Sequence, residues 1–121
     1  MGLDMYAYTT REELPDAVDF KVNDASEIHY WRKHPDLHGW MARLYFEKGG
    51  SAEEFNCVPV ALTRQDLDQL ECDVRGRRLP HTTGFFFGES ESTDLDDDLV
   101  FIAKAREAIA AGMNVFYDSW W

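Results

Sequence analysis

The stretch from Asp24 to Lys48, DASEIHYWRKHPDLHGWMARLYFEK, holds two of the chain's four tryptophans and three of its four histidines. Ile28, Trp31, Leu37, Trp40, Met41, Leu44 and Tyr45 recur at the spacing of one helical face, which predicts an amphipathic, core-forming helix. Asp24 and Glu27 stand at the spacing of a capping box with an aspartate cap, a start signal. Gly49 and Gly50 supply the stop, because glycine readily takes the left-handed conformation at a helix C-terminus. Pro35 interrupts the run, since a proline inside a helix removes one hydrogen bond and clashes with the carbonyl four residues back. The segment therefore reads as a kinked or two-part helix, with Lys33 or His34 closing one half and Pro35 opening the next. Trp31 and Trp40 lie about 180° apart on a straight helix. Both reach one core only if Pro35 rotates the second half.

On either side of this segment the pattern changes. Leu3, Met5 and Ala7 alternate with Asp4, Tyr6 and Tyr8, the period of a half-buried strand. Residues 11–23 have no period and read as a loop, with Val18, Phe20 and Val22 as a short extended piece. FNCVPVAL, Phe55 to Leu62, is rich in strand formers, but Pro59 cannot donate to a ladder and points to a short or edge strand. Thr63 and Asp66 form a capping box, Leu62 and Leu67 have the spacing of a hydrophobic staple, and Leu67, Leu70 and Val74 make the buried stripe of a helix that Gly76 ends. Thr93 caps a third helix with Asp94, Asp96, Asp97 and Asp98 filling its first turn, where the dipole favours negative charge. Leu95, Leu99, Ile102 and Ile109 form its inner face and Gly112 closes it. The tail NVFYDSWW returns to strand character. The expected fold is α+β, with residues 1–121 as a single domain. A small antiparallel sheet pairs the N- and C-terminal strands, adds a short strand near 56–61, and carries about three helices.

With 121 residues, 45% hydrophobic and 14% aromatic, the chain can bury a ring-rich core without disulfides or metal. Its net charge of −11 repels nucleic-acid phosphates and attracts basic protein surfaces. Direct nucleic-acid binding is disfavoured. Cys57 and Cys72 lack any CxxC pairing, the start carries no apolar signal-peptide run, and no stretch approaches the roughly 20 apolar residues of a membrane span. These features predict free thiols, a cytoplasmic setting and no membrane.

His34 and His38 stand four apart and would share one side of a continuous helix, with His29 near in sequence. Such a pair can seed a zinc site, with Asp36, Glu27, Asp4 or Cys57 completing it, yet no HExxH or Cys/His spacing selects the ligands. The simpler reading is histidines that cap or pack around the break, and no metal is assigned. The surplus of rings makes a pocket or patch credible, and His34, His38, Trp40, Trp31 and Asp4 are the candidate binding residues. RGRR at 75–78 and Arg32-Lys33 are possible anion sites without a phosphate-loop context. Asp94, Asp96, Asp97 and Asp98 are a candidate acidic patch that also serves as a helix start, without the ligand order of an EF-hand. No cofactor motif and no catalytic motif is present in the sequence.

MGLDMY at the start, EIHYWRKHPDLHGW in the centre, GFFFG after a threonine-rich loop, and YDSWW at the end resemble, as a set, an uncharacterised group of small bacteriophage and prophage proteins. The resemblance runs end to end in four short islands and implies a setting rather than a chemistry. The expected function is a non-enzymatic host-interaction protein in the bacterial cytoplasm. Its acidic surface would steer it to a host protein with a basic or nucleic-acid-binding surface, such as a defence or DNA-handling protein. The alternative is a small ligand-binding protein or enzyme whose pocket is lined by Asp4, His38, Trp40 and the GFFFG loop.

Overall fold

A computed structural model describes residues 2–84, 87–91 and 93–121. Its elements follow the order β1 (Asp4–Thr10), β2 (Ser26–Arg32), α1 (Pro35–Glu47), β3 (Val60–Leu62), α2 (Arg64–Arg75), α3 (Asp94–Ala110) and β4 (Asn114–Trp120). The strands form one antiparallel sheet in the order β2-β1-β4-β3, so the N- and C-terminal strands are its central pair. The fold is α+β, as the alternation at the two ends of the chain requires. Met5 and Ala7 of β1 are fully buried, as are Val60 of β3 and Tyr117 of β4, and together they floor the core.

The first half of the central segment corrects the helical reading. Ser26–Arg32 is a strand, with Met5 opposite Trp31 and Tyr6 opposite Tyr30. His29 and Trp31 alternate inward while Tyr30 and Arg32 stay exposed, a period of two hidden inside an apparent period of 3.6. The Asp24–Glu27 capping box does not form. Asp24 instead gives its carbonyl to the Thr10 hydroxyl and its amide to Glu12 Oε2 at 2.6 Å, which closes the connection from β1 to β2. Lys33 takes φ 55° and donates its amide to Leu3 O, ending the strand. A residue before proline avoids the α region, so His34 at φ −113°, ψ 73° separates strand from helix.

From Pro35 onward the helical reading holds. Pro35 sits in the first turn of α1, where its missing N–H leaves nothing unsatisfied. Leu37, Met41 and Tyr45, four residues apart, are fully buried on the sheet. Gly39 lets the loop before residue 84 touch the helix: a Cβ there would overlap the Thr82 side chain. Gly49 follows the helix at φ 96°.

α2 begins on the expected capping box, with the Thr63 hydroxyl accepting from the Asp66 amide at 3.1 Å and Asp66 Oδ2 from the Thr63 amide at 2.8 Å. β3, three residues long and after Pro59, is an edge strand. Thr93 is the residue before α3 but makes no side-chain cap. Asp94 Oδ2 takes the Glu91 amide instead, and Thr93 already has helical dihedrals, which hold its hydroxyl out of capping geometry. α2 and α3 pack on each other, and α3 reaches β2 and β4. Among the described residues no helix is long and apolar enough to cross a membrane.

Candidate functional site

The five candidate residues come from β1, β2, α1 and the link before α1; Trp31 and His34 meet on Asp98 of α3, while Asp4, His38 and Trp40 do not share a site. Trp31 lies on β2 and Trp40 on α1, so no kink was needed to bury both. Trp40 Nε1 donates to Asp73 Oδ2 on α2 at 2.9 Å. His38 lies beneath the inner face of the sheet. Asp4 stands on the opposite face, bonded to Tyr30 and Arg32. A pocket combining Asp4, His38 and Trp40 is therefore excluded by the sheet itself. His38 does meet the GFFFG loop, with the Phe87 ring 5.2 Å away at a near-perpendicular angle. Phe85 and Phe86 of that loop lie outside the described residues.

His34 and His29 are engaged on both ring nitrogens. His34 Nε2 lies 2.8 Å from Asp98 Oδ2 and Nδ1 2.7 Å from Ser90 Oγ, with Asp94 Oδ2 at 3.5 Å. The other Asp98 oxygen accepts from the Trp31 indole at 3.1 Å. Burial pushes the His34 imidazole down, but the hydrogen bond and charge of Asp98, with Asp94 and Asp36 beyond it, outweigh burial and leave it above its ordinary value. Burial also lifts Asp98, with His34 and Trp31 offsetting only part of that rise. Each partner's hydrogen bond and charge favour the charged form of the other, the pairing of an imidazolium with a carboxylate. His29 Nε2 lies 3.0 Å from Asp97 Oδ2, and the Lys104 ammonium, which can only donate, faces Nδ1 at 3.3 Å.

His38 is held in the opposite state. Burial lowers it to about 4, against a bond to the Phe55 backbone that raises it. Its Nδ1 lies 2.7 Å from the Tyr117 hydroxyl, whose own pKa complete burial pushes well above the ordinary phenol range. Tyr117 therefore keeps its proton and is hydrogen-bonded to a neutral imidazole. Metal ligation by any of these histidines would first have to break one such bond. Among the described residues no group of three or more His, Cys, Asp or Glu is arranged to hold a metal.

The acidic patch also requires correction. Asp98 is 1% exposed and belongs to the core network, while Asp94 and Asp97 turn toward His34 and His29. Only Asp96 of the four is fully given to solvent. The spacing explains this: residues 94, 97 and 98 share one helical face and residue 96 does not. A cavity of about 230 Å³ lies beside the network, lined by His34, Asp36, Arg77, Ser90, Asp94 and Asp98 among others.

The surface that sequence reading missed is the outer face of the sheet. Tyr6, Tyr8, Tyr30 and Phe116 form a continuous run of rings across β2, β1 and β4, with centroids 5.4 Å apart for Tyr6–Tyr30 and 5.3 Å for Tyr8–Phe116. Phe20, from the connection between β1 and β2, covers one end of it edge-on at 5.3 Å. Tyr30 is 43% and Trp120 67% exposed. Carboxylates are interleaved: Asp4 opposite Trp120, Asp118 opposite Tyr6, Glu27 opposite Tyr8. Burial and the neighbouring carboxylates raise the Tyr6 and Tyr8 hydroxyls, and the Tyr30 bond, followed by Arg32, lowers Asp4. The signal was legible in part, because the positions alternating with Met5 and Ala7 are tyrosines where a solvated strand usually carries small polar groups.

No family model, curated protein or solved structure matches the chain.

Proposed function

We propose that this chain acts by binding another protein through the outer face of its sheet, without chemistry of its own. The observation that carries the reading is the aromatic run of half-exposed Tyr6 and Tyr8 and exposed Tyr30, with exposed Trp120 on the same sheet face, interleaved with carboxylates. Exposed aromatics that cluster on a rigid sheet are the residues that supply most binding energy at protein interfaces. A net charge of −11 selects a partner with a basic surface and speeds encounter with it. The resemblance to phage and prophage proteins makes a bacterial defence or DNA-handling protein the expected partner, bound where it would otherwise meet nucleic acid. The buried histidines support the non-enzymatic reading, since Asp98, Asp97, Ser90, Lys104 and Tyr117 already occupy them.

A pull-down from bacterial lysate, run in parallel with wild type and Tyr30→Ser/Trp120→Ser, tests the reading. Wild type should retain a nucleic-acid-handling or defence protein, with recovery falling as salt rises and falling further in the variant. Equal recovery by both proteins, or no retained partner, rejects it. The alternative of a small-ligand protein has the cavity beside His34 in its favour, with a polar floor of His34, Asp98 and Ser90. Saturable binding of a metabolite that protects His34 and leaves the Tyr30/Trp120 variant unaffected would favour that alternative.

A further inference from the structure

A groove of about 620 Å³ lies between the outer sheet face and the segment that leads into β2, with Tyr8, Phe20, Lys21, Cys57, Phe116 and Asp118 among its walls. Asp118 is its notable group. This carboxylate accepts the Ser119 amide at 2.8 Å and has no cationic partner among the described residues. Lys21, the groove's own cation, makes no ion pair with it. The groove's other carboxylate, Asp19, is already taken by the Tyr45 hydroxyl and the Ser51 amide. Burial raises Asp118, the expected response of a carboxylate drawn out of water without a counter-charge.

The same sheet face shows what the missing partner would be. One register step away, Asp4 receives the Arg32 guanidinium at 2.7 Å and the Tyr30 hydroxyl beside it. Asp118 likewise stands among rings, with Tyr6 opposite and Tyr8 and Phe116 alongside, but among the described residues neither a tyrosine hydroxyl nor a guanidinium donates to it. A planar guanidinium can stack on a ring while donating two parallel bonds to a carboxylate; a lysine ammonium can do only the second, as a point charge. A nucleic-acid phosphate would meet repulsion there.

We infer that the Asp118 groove receives an arginine side chain of the partner protein, its guanidinium on the Asp118 carboxylate and its stem along Tyr8, Phe20 and Phe116. This rests on the reading of the outer face as a protein-binding surface and names the side chain it recognises. Asp118→Asn keeps the acceptor for the Ser119 amide and removes the charge, so it tests recognition without removing a structural bond.

The experiment is an amide NMR titration of the full chain with the blocked tripeptide Gly-Arg-Gly and with its citrulline counterpart, which keeps the shape and lacks the charge. The arginine peptide should give saturable shifts at Tyr8, Phe116 and Asp118, and should slow alkylation of Cys57 at the rim while sparing the exposed Cys72. Affinity should fall about tenfold or more with citrulline, and similarly in Asp118→Asn. Shifts centred elsewhere, equal binding of citrulline, or no binding would overturn the assignment. A dimer in sedimentation that Asp118→Asn dissolves would also overturn it, by assigning the arginine to a second copy. The two readings fail separately. If the captured partner is lost with Tyr30→Ser/Trp120→Ser but not with Asp118→Asn, the arginine site falls and the binding face stands. If neither variant changes capture, the face itself falls.

Discussion

His34 Nε2 lies 2.8 Å from Asp98 Oδ2, and this contact, between the residue before α1 and the start of the second turn of α3, ties together the two ends of the core. His34 is 2% and Asp98 1% exposed, so neither charge is tolerable without the other. The second Asp98 oxygen fixes the Trp31 indole on β2, which makes one carboxylate the joint of strand, linker and helix.

Replacing Asp98 with alanine should cost roughly 3–5 kcal/mol, because it strands a buried imidazole and a buried indole N–H together. Urea denaturation of Asp98→Ala, His34→Ala and the double variant measures this. The double variant should be less destabilised than the sum of the two singles. Additive losses, or a loss below about 1 kcal/mol for Asp98→Ala, would show that the pair is not a structural joint.

His34 and His38 impose opposite pH dependences on stability. His34 is raised from 6.5, so its contribution is complete below pH 6.5 and is lost as pH rises through its folded value. Asp98, raised from 3.8, has the same sign, its contribution complete below pH 3.8 and lost as pH rises through its folded value. His38 is lowered from 6.5 to about 4, so its contribution is present above pH 6.5 and is lost as pH falls toward 4, on the order of 3 kcal/mol across that window. Stability measured against pH should therefore lose its alkaline fall in His34→Gln. In His38→Gln the fall between 6.5 and 4 should flatten. An unchanged acid limb in His38→Gln would refute the assignment of a neutral buried imidazole.

Gly39→Ala should destabilise by roughly 1–3 kcal/mol despite alanine's better helix propensity, since the added methyl meets Thr82. Part of that loss should return in Gly39→Ala/Thr82→Gly. Gly49→Ala meets open space and should cost only the backbone strain of φ 96°, about 1 kcal/mol. Thermal melts of the three proteins decide the point. Greater stability in Gly39→Ala would mean the loop does not rest on α1 in solution.

Much of the sheet and of α2 was legible because the signals there are local. Alternation at Leu3, Met5 and Ala7, the Thr63–Asp66 capping box and the glycine stops depend only on neighbours a few residues away. The segment from Ser26 to Arg32 failed because Ile28 and Trp31 fit a helical spacing as well as His29 and Trp31 fit a strand. Seven residues cannot separate the two periods. The acidic patch failed for a related reason: local sequence shows where a carboxylate stands on a helix but not which histidine waits across the core.

The sequence by itself determined the strands at the two ends, the helices after Pro35 and Thr63, and an acidic, ring-rich domain, since each follows from backbone sterics and the burial of nearby side chains. Only the tertiary structure decided that β2 completes the free edge of β1, because pairing energy comes from a strand elsewhere in the chain. It likewise decided that Asp98 would leave solvent for Trp31 and His34 and that Asp118 would sit among rings without a cationic partner among the described residues. The environment of a charged group is set by residues brought to it across the fold, and no local spacing carries that information.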